Sequence, residues 1–324
     1  MKEIRLQDIE GFRIGSAENS EAGTGCTVII CEQGAPCSVD VRGGGPASRE
    51  SELLNPVAAC DRVHAVLLSG GSAYGLDAAG GVMRYLEEHG VGLSVGEAIV
   101  PLVVQACIFD LTCGENVRPD VAMGYEACVN AEGNPEVTEG NHGVGTGATV
   151  GKLFGEASMM KAGLGTYAVQ LGDLQVGAIV AVNALGDVLK EDGSVLAGML
   201  TPDGQGLADT RKVILENYES IAPILAGAGA ATTNTTIAAI VTNAKFDKTQ
   251  LKKLAQMASN GLVRAICPVN TTADGDSVYA LSVGDVIADI NLAGTAASYA
   301  LENAIRRAIY AAESAYGAPA LKSL

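Results

Sequence analysis

The distribution of apolar and polar residues predicts a chain of alternating strands and helices. Short runs rich in β-branched residues, bounded by polar or glycine-rich segments, are typical of buried strands. Such runs predict strands at residues 26–31, 64–68, 176–183, 237–242 and 278–283. Apolar residues at helical spacing predict helices at about 72–89, from an N-capping Asp247 onward, and at about 293–315. This alternation indicates a mixed α/β architecture.

A cluster of polar residues, Thr232 to Thr236, stands directly before the strand predicted at 237–242. If the peptide bond between Asn234 and Thr235 is cut, Thr235 becomes an N-terminal residue that carries both a hydroxyl nucleophile and an α-amine base. Such a catalyst needs no histidine, and the chain has only three. The alternatives are a loop that simply enters a strand and, in a secreted protein, an N-glycosylation site.

Two aspartates, Asp274 and Asp276, stand on either side of Gly275 just before the strand predicted at 278–283. Their carboxylates can lie close together, where they would bind the ammonium and hydroxyl of Thr235 and tune their protonation. A plain turn is the alternative interpretation. A calcium loop is excluded because the flanking ligands of an EF-hand are missing.

Two further polar residues lie in apolar surroundings. Lys161 belongs to the segment Met159–Gly165, where a buried ammonium would need partners and would therefore indicate a site, although a solvated surface lysine is the ordinary alternative. Asn183 ends the strand predicted at 176–183, and its side-chain NH₂ suits an oxyanion donor as well as a turn cap.

Two glycine-rich segments resemble known motifs without completing them. Residues 145–153 look like a phosphate-binding loop, but Thr146 stands where the first glycine belongs and Leu153 cannot bind magnesium. Residues 70–74 look like a nucleophile elbow, but Tyr74 replaces a required glycine. A serine hydrolase built on Ser72 and His142 therefore stays a minor alternative.

Charge and cysteine content narrow the class of protein. The formal charge of −16 argues against nucleic-acid and anionic-membrane partners, since both need clustered Lys and Arg. The eight cysteines show no Cys-x-x-Cys spacing, which predicts buried, reduced thiols. With no apolar stretch long enough to span a bilayer and no secretory pattern at the start, we expect a soluble, cytoplasmic protein.

Six segments, spread over most of the chain, form an ordered set of motifs. They are Asp40-Val-Arg-Gly-Gly-Gly-Pro46 with Arg49-Glu50, Leu68-Ser-Gly-Gly-Ser72 and its continuation to Gly81, Gly145–Lys152, Lys161–Thr166, Asn234-Thr235-Thr236-Ile237 and Pro268–Asp276. Together they resemble the self-processing N-terminal-nucleophile hydrolases of the DmpA group, which form peptidase family S58. This group includes β-peptidyl aminopeptidases, L-aminopeptidase/D-esterases and nylon-oligomer hydrolases.

The resemblance implies a layered α/β fold of the DmpA and ornithine-acetyltransferase type and a threonine nucleophile at Thr235. It also implies that Asn183 donates to the oxyanion, that Lys161 is the catalytic-site lysine, and that Asp274 and Asp276 match the aspartate pair of the nylon-oligomer hydrolases. No metal or organic cofactor is implied. The expected substrates are small peptides, β-peptides, amino amides or 6-aminohexanoate oligomers.

We therefore expect one catalytic domain, residues 1–324, that cuts itself into fragments 1–234 and 235–324. The stretch between Asp203 and Thr233 is interpreted as a mobile connector, and the protein is expected to form a homo-oligomer, in particular a tetramer, in part through the Ala-rich helix at 293–315. The alternatives are an ornithine acetyltransferase-like acyl transferase and an unprocessed binding protein without activity.

Overall fold

The computed structural model describes residues 1–227 and 234–324. Its strands are β1 (Lys2–Ile4), β2 (Arg13–Asn19), β3 (Thr24–Ala35), β4 (Cys37–Val41), β5 (Ala47–Arg49), β6 (Val63–Ser69), β7 (Leu93–Val95), β8 (Ala98–Val100), β9 (Val103–Cys107), β10 (Thr149–Val150), β11 (Met160–Lys161), β12 (Leu164–Leu171), β13 (Leu174–Ala181), β14 (Asp187–Leu189), β15 (Val195–Ala197), β16 (Ile237–Ala244), β17 (Ile266–Cys267) and β18 (Ser277–Val286). Its α-helices are α1 (Ala78–Glu88), α2 (Val121–Asn130), α3 (Thr210–Glu216), α4 (Tyr218–Gly227), α5 (Lys248–Ala265) and α6 (Ile290–Ala311). Short 3₁₀ helices cover Leu6–Asp8, Ser51–Leu54, Ser72–Asp77, Gly143–Gly145, Gly155–Ser158 and Leu321–Ser323.

Two large sheets organise the described part of the chain. The first has the strand order β2-β3-β6-β9-β5, and the second has the order β1-β12-β13-β16-β18-β4. Strands β16 and β18 run parallel at the middle of the second sheet, with Ile237 opposite Ser277. The segments that precede these two strands are therefore brought to the same edge of the sheet, and they carry Thr235 and the two aspartates.

The two sheets pack face to face, and each carries helices on its outer face. Ile29 of the first sheet and Ile179 of the second belong to the apolar core between them. Because successive side chains of a strand point to opposite faces, the neighbouring Val28 packs with α1 and α2, and Ala178 packs with α5 and α6. The layers run helix, sheet, sheet, helix, which confirms the expected layered α/β fold.

The helices that follow Thr235 confirm one prediction and correct another. Helix α5 begins after Asp247, whose carboxylate accepts a hydrogen bond from the N–H of Gln250 at 2.8 Å while the Gln250 side chain accepts from the N–H of Asp247 at 3.0 Å. Helix α6 covers Ile290–Ala311 in place of 293–315. Its alanines, such as Ala297 and Ala304, are buried in the core of their own chain. The Ala-rich face is therefore already covered and gives no support for a subunit interface.

The region predicted as one helix at 72–89 divides in two. Residues Ser72–Asp77 form a 3₁₀ helix, and α1 begins only at Ala78. The carbonyl of Gly75 accepts hydrogen bonds from the side chains of Gln105 at 2.7 Å and Ser69 at 3.2 Å. These contacts come from neighbouring strands, so the apolar periodicity of the segment gave no sign of them.

The stretch interpreted as a connector contains two helices, α3 and α4, so that interpretation was wrong for residues 210–227. Residues 228–233, which include Thr232 and Thr233, lie outside the described residues. Asp187 ties the beginning of α3 to β14, because its carboxylate accepts from the N–H of Thr210 at 2.7 Å and the N–H of Met199 at 2.8 Å. Helix α3, which lies before the predicted cleavage point, is thus attached to β14, and β14 in turn pairs with β17.

Two simpler findings bear on the predicted class of protein. Each of the eight cysteines, all of which lie in the described residues, is free, and six of them are buried. Among the described helices, none is both long enough and apolar enough to cross a membrane.

Candidate active site

The peptide bond between Asn234 and Thr235 lies buried at the beginning of β16. Asn234 pairs with Asp274 in a parallel bridge, and Thr235 is only 4% exposed. The hydroxyl of Thr235 donates a hydrogen bond to the carbonyl oxygen of Asn234. The N–H of Gly275 lies 3.1 Å from that carbonyl oxygen and 3.1 Å from the Thr235 hydroxyl. One backbone donor therefore faces both the candidate nucleophile and the neighbouring carbonyl.

The turn that precedes β18 holds both predicted aspartates beside Thr235. The Asp276 carboxylate accepts from the N–H of Thr236 at 2.6 Å and from the N–H of Asn270 at 2.9 Å. The Asp274 carboxylate accepts from the N–H of Leu185 at 3.2 Å and from the hydroxyl of Thr271. The carboxylates thus bind backbone around Thr235, whereas the Thr235 hydroxyl itself contacts Gly275 and Asn234.

The two carboxylates are almost fully buried, at 1% exposure each. Burial and the nearby Asp274 carboxylate raise the pKa of Asp276 well above the ordinary range of aspartate. A buried acid with a raised pKa can exchange a proton near neutral pH, which is the property that acid–base work requires.

Asn183 lies beside Thr235 and connects it to a further residue. Its backbone carbonyl accepts from the N–H of Thr235 at 2.8 Å. Its side-chain NH₂ donates to the carbonyl of Phe109 at 2.9 Å, and its side-chain oxygen accepts from the N–H of Thr149 at 3.0 Å. One of its two N–H groups is therefore committed to positioning the side chain.

The lysine that meets this cluster is Lys152, which the sequence interpretation passed over as part of an incomplete phosphate loop. Its Nζ donates to the Asn183 side-chain oxygen at 2.8 Å and to the Asn183 carbonyl at 3.1 Å. Burial lowers the pKa of Lys152 to about 8. The segment around Lys152 is glycine-rich and apolar, like the one that drew attention to Lys161, and this signal could have identified Lys152 as a second candidate.

Lys161 is buried but occupied elsewhere. Its Nζ donates to the carbonyls of Gly145, Ala148 and Ala162 at 3.1, 2.9 and 2.6 Å, and burial lowers its pKa to about 7. Within the described residues no hydrogen bond joins Lys161 to Thr235 or to the aspartates. The structure therefore brings together Thr235, Asn183, Asp274 and Asp276, with Lys152 in the place foreseen for Lys161.

The alternative pair, Ser72 and His142, is not brought together by a hydrogen bond in the described part of the chain. His142 contacts Glu18 at 3.2 Å, and the N–H of Ser72 donates to the carbonyl of Ile108 at 2.9 Å. Ser72 has φ +51° and begins a 3₁₀ helix three residues after β6 ends, which resembles a nucleophile elbow in backbone only. This geometry provides no histidine base for the serine.

Comparison with known proteins identifies the family of the chain. The model of peptidase family S58 matches residues 5–321. The chain belongs to peptidase family S58. As a member of this family it is placed among hydrolases of the aminopeptidase and amidohydrolase type.

Relatives of the chain include proteins described as aminopeptidases and as 6-aminohexanoate-oligomer endohydrolases. An uncharacterised aminopeptidase of Mycobacterium leprae is 36% identical over 346 aligned positions, which cover 97% of this chain and 92% of the relative. A 6-aminohexanoate-oligomer endohydrolase of an Agromyces species is 32% identical over 289 positions, which cover 88% of this chain and 76% of the relative.

Solved structures show the family fold. The L-aminopeptidase D-Ala-esterase/amidase of Ochrobactrum anthropi, described as a variant of the Ntn hydrolase fold, aligns with a TM-score of 0.70 at 19% identity and covers 95% of this chain and 86% of its own. A β-aminopeptidase from a Burkholderia species aligns with a TM-score of 0.68 at 21% identity and covers 97% and 89%. These alignments confirm the N-terminal-nucleophile type of fold.

Proposed function

We propose that this family S58 member cuts its own chain between Asn234 and Thr235 and then uses Thr235 as an N-terminal nucleophile to hydrolyse small amides. The observation that carries the proposal is the contact of the Thr235 hydroxyl with the Asn234 carbonyl, with the Gly275 N–H aimed at both. The nucleophile, its electrophile and a donor for the developing charge are thus assembled before any bond is broken.

The first reaction is an acyl shift within one residue pair. Thr235 Oγ1 attacks the carbonyl carbon of Asn234, and the negative charge that develops on the Asn234 oxygen is stabilised by the Gly275 N–H. The bond from Asn234 to the Thr235 nitrogen then breaks, and that nitrogen takes up the proton given up by the Thr235 hydroxyl and leaves as an amine. Water hydrolyses the resulting ester, which restores the hydroxyl and releases Asn234 as a new carboxylate terminus.

In turnover the freed amine is the base. An α-amine has an ordinary pKa of about 7.7–8, so it can accept the proton of its own hydroxyl near neutral pH. Thr235 then attacks the substrate amide, Asn183 holds the oxyanion, and Asp274 and Asp276 orient the amine and hydroxyl. Lys152 fixes Asn183 through two hydrogen bonds, and water releases the acyl group from Thr235.

Both fragments would remain in one folded unit after the cut. Fragment 235–324 supplies β16 and β18 to the second sheet, where they stand between β13 and β4 of fragment 1–234. Separation would expose these central strands and the apolar faces of α5 and α6, so it is opposed by the loss of a large buried surface. We therefore treat residues 1–324 as one catalytic domain made of two chains.

The substrate class follows from the chemistry and from the relatives. An acyl-transfer site with acidic residues beside the nucleophile suits small amides that carry a free amine. The relatives named as aminopeptidases and as a 6-aminohexanoate-oligomer endohydrolase point to short peptides, β-peptides, amino amides or 6-aminohexanoate oligomers. A panel of amino-acyl p-nitroanilides and 6-aminohexanoate oligomers, offered to processed protein, separates these possibilities.

Assembly belongs to the proposal as well. We expect a homo-oligomer, in particular a tetramer, and light scattering checks it against the 32.9 kDa of one chain. A monomeric mass would contradict the proposed oligomer and would leave the proposal of self-cleavage unaffected.

The decisive experiment on the proposed function is to follow purified protein by intact mass and by N-terminal sequencing. Two fragments are expected, and the smaller one should begin Thr-Thr-Ile-Ala. A chain that stays at full length after prolonged incubation at neutral pH would favour the unprocessed binding protein instead.

A further inference from the structure

A glycine-rich segment of the first half of the chain lies across the turn that carries the aspartates. This segment, Arg42 to Pro46, is called the strap here. Its backbone donates four hydrogen bonds to three carbonyls of the turn: Arg42 N and Gly43 N to Asp276 O at 3.0 and 3.2 Å, Gly44 N to Thr271 O at 3.0 Å and Gly45 N to Asp274 O at 2.9 Å. The strap thus holds the carbonyls on both sides of Gly275.

The approach of the strap to the turn is too close for side chains. A Cβ atom on Gly43 would lie 2.3 Å from the Asp276 nitrogen and 2.5 Å from the Asp274 carbonyl oxygen. A Cβ atom on Gly275 would lie 2.8 Å from the Thr235 hydroxyl and 2.9 Å from the Gly45 carbonyl oxygen. Glycine is required at both positions because backbone, nucleophile and strap are in contact there.

The direction of one peptide group connects the strap to the cleavage point. In a trans peptide the carbonyl and the N–H point in opposite directions from the same plane. Gly45 binds the carbonyl oxygen of Asp274, so the N–H of the same peptide group, on Gly275, is turned away from the strap. It is turned toward the Asn234 carbonyl and the Thr235 hydroxyl, each 3.1 Å away.

The strap is itself fixed to α5 by charged and polar contacts. The Asp40 carboxylate accepts from Arg42 Nε at 2.7 Å and from the Ser259 hydroxyl at 2.8 Å. Arg42 also donates to the carbonyl of Gln256 at 2.9 Å. Asp40 is 7% exposed, so its bonds are shielded from water. Because α5 lies in fragment 235–324, these contacts join the two proposed fragments.

We infer that the strap is a positioning element for self-cleavage, which fixes the Asp274–Gly275 peptide plane so that the Gly275 N–H stabilises the oxyanion formed on Asn234. The inference rests on the proposed function and assigns a role to the segment around Arg42 and Gly43, which touch neither the nucleophile nor the carbonyl. If the strap moves, the peptide plane can rotate and the donor leaves the oxyanion.

The test compares Gly43→Ala with Gly261→Ala. The added methyl of Gly43→Ala pushes the strap from the turn, and that of Gly261→Ala creates a similar conflict between α5 and α6, 2.6 Å from the Ser298 carbonyl oxygen. Both variants should lose melting temperature. Self-cleavage should slow by about 10-fold or more in Gly43→Ala only, since small displacements of catalytic groups have effects of that size.

Two further measurements separate positioning from a general loss of structure. Arg42→Ala should slow cleavage at an unchanged circular dichroism spectrum, and Arg42→Lys should recover part of the rate, because lysine keeps a charged donor for Asp40. Hydroxylamine cleaves esters and so accelerates only the second step, the breakdown of the ester. It should leave self-cleavage of Gly43→Ala slow, because the substitution affects the first step, in which the ester forms.

Each outcome decides the matter. Wild-type rates in Gly43→Ala and Arg42→Ala, equal slowing in Gly261→Ala, or recovery of Gly43→Ala by hydroxylamine would overturn the inference while the proposed function stands. If Gly43→Ala does not fold, the Arg42 pair gives the answer. A wild-type chain that never cleaves would instead overturn the proposed function, and this inference with it.

Discussion

The ammonium of Lys152 lies 2.8 Å from the side-chain oxygen of Asn183. The Asn183 carbonyl binds both that ammonium, at 3.1 Å, and the N–H of Thr235, at 2.8 Å. The Lys152 ammonium and the Thr235 nitrogen, which self-cleavage would release, are therefore joined through a single residue, Asn183.

Removal of the Thr235 hydroxyl should stop self-cleavage. Thr235→Ala should stay at full length because the attacking oxygen is gone, whereas Thr235→Ser keeps a hydroxyl and should still form two fragments. Thr236→Ala is the matched control, since it removes the neighbouring hydroxyl and leaves the N–H that binds Asp276. Intact mass after incubation at neutral pH measures all three, and cleavage in Thr235→Ala would contradict the assignment.

Asp276→Asn should slow both self-cleavage and amide hydrolysis by roughly 10²-fold, the scale of a lost acid–base group. It should also lower the melting temperature, because both carboxylate oxygens accept backbone N–H groups and asparagine can replace only one of them. Asp187→Asn is the control. Asp187 is a buried carboxylate with N–H partners at 2.7 and 2.8 Å, outside the site.

The comparison of the two aspartate variants isolates the chemistry. Both should melt lower than the wild type, but Asp187→Asn should cleave at a rate near that of the wild type. Equal rates in the two variants would leave Asp276 with a structural role alone.

The two buried lysines should differ in their effect on self-cleavage. Lys152→Met removes both bonds to Asn183 and should slow cleavage about 10-fold or more. Lys161→Met leaves three buried carbonyls without their donor, so it should mainly destabilise the fold. Cleavage rates measured below the melting temperature of each variant compare them, and the reverse ranking would restore the role that the sequence suggested for Lys161.

Lys152 should also make stability depend on pH. Its pKa is lowered from 10.5 to about 8 in the folded chain, so the unfolded chain binds the proton more tightly between these values. The free energy of unfolding should therefore rise with pH in that window, by about 2 kcal/mol between pH ~8 and pH ~10. Below pH ~8 Lys152 is protonated in both the folded and the unfolded chain. Its contribution to the free energy of unfolding is then constant, and the full cost of burying the charged ammonium is present.

The measurement uses uncut protein. Urea unfolding of Thr235→Ala is compared with that of Thr235→Ala/Lys152→Met at both pH values, and the difference in unfolding free energy between the two should shift in favour of the first as pH rises. Parallel pH profiles would show that Lys152 titrates normally in the folded chain.

Several parts of the site could be predicted from sequence because the signals are local. The polar cluster at Thr235 stands directly before a β-branched run, and the pair Asp274 and Asp276 stands directly before another. The parallel pairing of β16 with β18 then places both at one sheet edge. The N-cap at Asp247 could be predicted for the same reason, since Asp247 stands directly before the apolar periodicity of α5.

The sequence by itself therefore determined five strands of the two large sheets, the helix beginning at Asp247, the candidate nucleophile and the aspartate pair. Those five strands are β3, β6, β13, β16 and β18. Only the tertiary structure decided which lysine meets Asn183, because Lys152 and Lys161 stand in similar apolar, glycine-rich segments and differ only in what folds against them. It also decided that the Ala-rich face of α6 is internal. Lastly, it brought Gly43 against Asp276 across more than two hundred residues, a contact that depends on the pairing of β4 with β18 and that no local pattern encodes.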